Sequence, residues 1–199
     1  MPYSYTGNFP DQQLNNSGIF SPNDALNLKS HGEWGGSLEL ISTQTVSSVS
    51  EADFTNIFED KYKIHFLQCN LTLSGSSNTL AVRLGNSSGI HTSGYARSNQ
   101  YFATDGSFGE QRSTSTGSLA DYGHTGNGDK CFYMYLYNAQ STSKYTFATN
   151  HAFGTHPTTD FIGYFGGGYY DTAEKTTQIR VYATAGTLSG TLNLYGLKE

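Results

Sequence analysis

The residues Thr176 to Glu199, TTQIRVYATAGTLSGTLNLYGLKE, alternate too regularly to be anything but strands. Ile179, Val181 and Ala183 share one phase, and Gln178, Arg180 and Tyr182 share the other. Further on, Leu192 and Leu194 alternate with Thr191, Asn193 and Tyr195. A period of two is the pattern of a strand with one face on a core. Ala185-Gly186 and Ser189-Gly190 read as the permissive backbone of the turns. Two strands alone are not stable in water. The preceding chain must therefore supply sheet neighbours and a second sheet to pack against.

It carries the residues to do so. Strands are predicted over Leu38–Val46, Asp53–Phe58, Tyr62–Leu73, Thr79–Gly85, Tyr95–Ala103, Lys130–Tyr137, Tyr145–Phe153 and Phe161–Phe165. Leu67, Cys69, Leu71 and Leu73 share a phase, as do Leu80, Val82 and Leu84, and as do Phe132, Met134 and Leu136. Residues 104–129, rich in Gly, Ser, Thr and Asp, read as one long irregular loop, and Gly166-Gly167-Gly168 as a bend. About ten short strands with turns between them predict an all-β fold, an antiparallel sandwich of jelly-roll type, over residues 38–199. The core is predicted to contain Leu71, Val82, Leu84, Met134, Leu136, Ile179, Val181, Leu192 and Leu194.

Residues 1–37 differ. Ser21-Pro22-Asn23-Asp24 is a helix start, with Ser as N-cap, Pro at the first helical position and Asp complementing the dipole. One short helix is expected over about 22–31, stopped by Gly32. Residues 1–20 have neither period, yet hold Tyr3, Tyr5, Phe9, Ile19 and Phe20. Two readings stand: an extended arm that lies on a partner, or a strap over the chain's own sandwich. Trp34 reads as an anchor between helix and sheet.

Composition narrows the function. Charged residues are 14% of the 199, with 23 Gly, 15 Tyr and 12 Phe in their place. The net charge of -5 and the lack of any Lys or Arg run argue against nucleic-acid binding. No apolar span is long enough for a membrane-crossing helix, and no membrane insertion is expected. The opening residues lack the basic start and apolar run of a secretory signal, so assembly in a reducing cytoplasm is expected, with Asn15, Asn70 and Asn86 as chance sequons. Cys69 and Cys131 then read as reduced, buried small hydrophobes.

Catalytic patterns are weak. Gly85-Asn86-Ser87-Ser88-Gly89 matches G-x-S-x-G, but a nucleophile elbow needs a helix after it, and Ile90-His91-Thr92-Ser93-Gly94 is another turn. His151, His156 and Asp160 fit no zinc spacing, and Pro157 places them at a turn. The acidic residues Glu51, Asp53, Glu59, Asp60, Asp171 and Glu174 flank turns, where charges are usually solvated. A non-enzyme with no metal or cofactor is expected, with sugar cleavage as a minor alternative. The aromatic residues are the stronger signal. Tyr133, Tyr135 and Tyr137 share one strand face, and Tyr169, Tyr170 and Tyr182 follow. A tyrosine buries a ring and keeps a polar tip, which suits a protein interface or a sugar; the same rings could also fill a core.

The closing SGTLNLYGLK, preceded by IRVYATAG, resembles the C-terminal signature of small β-sandwich structural proteins of tailed bacteriophages. The run YKIHFLQCNLTLSGSSNTLAVRLGNSSGIHTSGY is similar to that family's paired strands, and IFSPNDALNLKSHGEWGGSLELISTQTVS to its leader segments. The resemblance covers roughly residues 62–198 and its signatures are structural, so it carries over no site residues. It implies a virion component of tail-fibre or adhesin type that contributes to host attachment, with other virion proteins and a host-surface glycan as partners and a homo-oligomer, most simply a trimer. A capsid-decorating protein that clasps the shell through its N-terminal arm is the alternative, and a polysaccharide depolymerase the minor one.

Overall fold

A computed structural model describes residues 38–58, 61–75, 79–122, 127–156 and 160–197, the side chain of Asp160 excepted. The helix expected near 22–31, the arm residues Tyr3, Tyr5, Phe9, Ile19 and Phe20, and Trp34 lie outside the described residues.

Among the described residues thirteen strands follow one another: β1 (Leu38–Val49), β2 (Glu51–Thr55), β3 (Ile64–Leu73), β4 (Leu80–Asn86), β5 (Gly89–Ile90), β6 (Tyr95–Ala103), β7 (Phe108–Thr116), β8 (Ala120–Tyr122), β9 (Gly128–Tyr137), β10 (Thr146–His156), β11 (Asp160–Tyr170), β12 (Gln178–Ala183) and β13 (Leu188–Leu197). They form two antiparallel sheets. The large sheet has eight strands in the order β1-β13-β3-β9-β10-β11-β6-β7; the small sheet runs β2-β12-β4-β5, with β8 also paired to β4. The pairs β1:β13, β2:β12, β3:β9 and β4:β8 are nested, first with last, and adjacent nested pairs alternate between the sheets. That nesting is the winding of a jelly roll, as the sequence predicts. The hairpins β6-β7 and β10-β11 widen the large sheet beyond it.

The core lies between the sheets, filled by the apolar phase of each central strand. Leu67, Leu71 and Leu73 on β3 and Met134 and Leu136 on β9 meet Val82 and Leu84 on β4 and Ile179 and Val181 on β12. Each of the nine core positions named from the sequence is at most 1% exposed. Burial of a single Leu or Ile side chain stabilises by about 1.5–3 kcal/mol, so this cluster is the main source of stability.

Four local readings are corrected. Residues 104–129 are not one loop, because they contain β7 and β8. β7 is an edge strand with no buried position and polar residues on both phases, so it has no apolar phase to betray it. Gly166-Gly167-Gly168 is no bend but the middle of β11, paired on both sides. A Cβ there would sit 2.2 Å from the Ser98 carbonyl oxygen at Gly166 and 2.4 Å from that of Ala148 at Gly167, so close backbone approach demands glycine. Ser189-Gly190 lies inside β13, opposite an irregularity in β1 between Val46 and Val49; Gly190 has φ +134°, and the turn falls between β12 and β13. Cys69 is buried as expected, but Cys131 is exposed. It occupies the outward phase of β9, shared with Tyr133.

Candidate functional site

Strand register fixes what the large sheet shows to solvent. Directly opposed residues share a face. One outward row reads Leu40, Tyr195, Phe66, Tyr135, Thr149, Gly167, Ser98 and Arg112 from β1 to β7. The next reads Thr43, Asn193, Gln68, Tyr133, His151, Phe165, Gln100 and Glu110, and a third ends Cys131, Phe153, Gly163, Phe102 and Phe108. Every exposed large apolar side chain among the described residues belongs to this face: Leu38, Leu40, Phe102, Phe108, Phe147, Phe153, Phe161 and Phe165 from strands, and Tyr145 from the loop before β10.

The aromatic groups interlock. Phe66 lies 4.8 Å from Tyr135 and 5.9 Å from Tyr195, centroid to centroid. The hydroxyl of Tyr133 is 2.8 Å from Nδ1 of His151. Phe153 and Phe161 stack at 5.9 Å, and Phe102 closes on both at 6.4 Å. Phe102 lies over Gly163, where an added Cβ would meet its ring at 2.5 Å. Tyr169 stacks on Tyr145 and abuts Phe147. Beside them, Gly167, Ser98 and Arg112 help line a shallow depression of about 830 Å³. Across β13, β3, β9, β10, β11 and β6, the described outward positions hold no Lys, Arg or Glu, and one Asp, Asp129, at the rim.

The tyrosines named from the sequence divide. Tyr133, Tyr135, Tyr137 and Tyr169 are half-buried on the outward face. Tyr170 is not a surface residue: it is 7% exposed, on the inward phase of β11, stacked on His91 at 4.7 Å and packed 5.1 Å from Tyr95, and burial raises its phenol pKa. Tyr182 belongs to the small sheet, with Arg83 4.5 Å over its ring.

The catalytic patterns do not converge. Ser87 is exposed in the two-residue turn between Asn86 and Gly89, and a two-residue strand follows it rather than a helix. His151 and His156 lie on opposite faces of β10 by strand parity, and no metal-holding group of three His, Cys, Asp or Glu occurs among the described residues. Asp53 and Glu51 are held by Arg180, at 2.6 and 2.7 Å, and Glu174 lies 2.7 Å from His91. Glu59 and Asp60 fall outside the described residues.

The phenylalanines of β6, β7, β10 and β11 were not singled out in the sequence. On β10 the inward phase is small or polar (Ala148, Asn150, Ala152), whereas Phe147 and Phe153 face out. Reading bulk as core hides such a face; the small-in, large-out alternation is the signal that could have found it. No protein-family model matches the chain, and no curated protein matches it.

Proposed function

We propose that the chain is a structural subunit of a tailed-bacteriophage virion, of tail-fibre or adhesin type, that works by being built into an assembly and contributing to host attachment. The observation that carries the assembly role is the gathering of every exposed large apolar side chain among the described residues onto one face almost without charge. Patches of this kind mark interaction sites, and aromatic enrichment with charge depletion is the composition of an interface core. The virion assignment rests on the C-terminal resemblance. Its SGTLNLYG segment is the body of β13, which sets Tyr195 into the aromatic face beside Phe66.

On this reading the protein is not an enzyme. The large sheet joins it to its neighbours, most simply around a threefold axis, while turns at the sandwich ends meet the host surface. Purified virions imaged with a label on this protein test the proposal. Label on the tail is expected; label on the shell transfers the role to capsid decoration, and its absence from particles overturns the virion reading.

A further inference from the structure

We infer that the outward face of the large sheet is an interface between copies of this chain. The inference rests on the face itself and stands whether or not the protein belongs to a virion.

Size is the first argument. Eight strands about 4.8 Å apart span about 34 Å, and the five outward positions of β10, about 6.8 Å apart, span about 27 Å. The footprint is about 900 Å², close to the roughly 800 Å² that each partner contributes to a stable complex. Chemistry is the second. Apart from its rings, the face offers Thr, Ser, Asn, Gln and Tyr groups, such as Thr149, Gln68, Asn193 and Gln100. Hydroxyls and amides donate and accept, so different parts of this face on neighbouring copies can pair with one another, as a ring of three requires. A partner of strong charge would find almost nothing to match. Charge is the third: two copies of a chain with net charge -5 repel, and this face confines its carboxylates to the border, Asp129 at the rim and Glu110 on the edge strand β7, where Arg112 pairs with it. The edge strand β7 closes the face with Glu110 and Arg112, an ion pair at 3.3 Å, and charged edges discourage strand-to-strand stacking. Contact is thereby directed to the face rather than to the edge.

Cys131 makes the inference testable. It is exposed on the folded chain and directly opposite Phe153, whereas Cys69 is in the core. Light scattering on the full chain at tens of micromolar, combined with thiol alkylation, is the experiment. The expected result is a discrete oligomer in which Cys131 alkylates at least tenfold more slowly than in Phe153→Glu, which should run as a folded monomer with Cys69 still protected. Where Phe153→Glu exposes Cys69, Thr149→Glu takes its place, since Thr149 is exposed and adds charge to the centre of the face without removing a ring. A wild-type monomer with freely reactive Cys131 overturns the inference. So does an oligomer that survives a folded variant with Cys131 open throughout, because its contacts lie elsewhere.

Discussion

The two sheets share one core but present opposite outer surfaces. On the small sheet Arg180 stands between β2 and β4, its Nε and Nη2 donating to the two carboxylate oxygens of Asp53 at 2.7 and 2.6 Å and its Nη1 reaching Glu51. Arg83 covers Tyr182 and donates to the Gly117 carbonyl oxygen, and Arg97 crosses from β6 to Asp121 at 3.1 Å. Each of these charged groups has a partner within the chain. On the large sheet rings stand in the open: Phe108 is 66% exposed and Phe147 46%. The first is a surface of paired charges; the second leaves phenylalanine in water, the kind of patch that marks an interaction site. The contrast is the ground for proposing the large sheet as the functional face, although both sheets obey the same period of two.

The contrast can be tested from its shared foundation outward. Leu194 is fully buried on β13. Leu194→Ala should cost about 2–5 kcal/mol, through lost transfer energy and a cavity, and should lower urea midpoints whichever outer face is intact. Coincident melts would remove Leu194 from the core.

The second test separates core from surface by pH. His65 is fully buried, with neither ring nitrogen hydrogen-bonded, packed against Phe58 at 4.5 Å and Tyr62 at 5.8 Å. Burial lowers its pKa from 6.5 to about 4. The unfolded chain therefore takes up the proton first, and the stability tied to neutral His65 is complete above about pH 6.5 and lost as pH falls toward 4. The loss should approach about 3 kcal/mol, and His65→Leu should abolish it. A slope that persists in that variant would assign the pH dependence to a group other than His65.

Third, Asp53→Ala should cost about 1–2 kcal/mol, since its pair with Arg180 is neither fully exposed nor fully buried. The oligomeric mass should not change; dissociation would make the small sheet the interface. Last, Phe153→Ala should shift stability by less than about 1 kcal/mol while weakening self-association, the inverse of Asp53→Ala.

Much of this was legible in the sequence. β3, β4, β9, β12 and β13 have an apolar phase and a polar phase, and their inward residues follow directly. The jelly-roll winding followed from strand number and turn spacing. β7 was hidden because hydrogen bonds to β6, not side chains, make it a strand. β11 was cut short because its three glycines answer to neighbouring backbone that no local pattern reveals. The tyrosines of β9 were found because their phase opposes Phe132, Met134 and Leu136, whereas Tyr170 was misplaced because it adjoins Tyr169 and only parity separates them. The phenylalanine patch joins four strands from distant parts of the chain, so register alone brings it together.

Hydroxyl-radical footprinting of the full chain across a dilution series compares both faces in one sample. Oxidation of Phe102, Phe153 and Phe161 should be suppressed at high concentration and rise as the protein is diluted, while Tyr182 on the small sheet stays constant. Equal oxidation of the three phenylalanines at every concentration would contradict an interface on the large sheet.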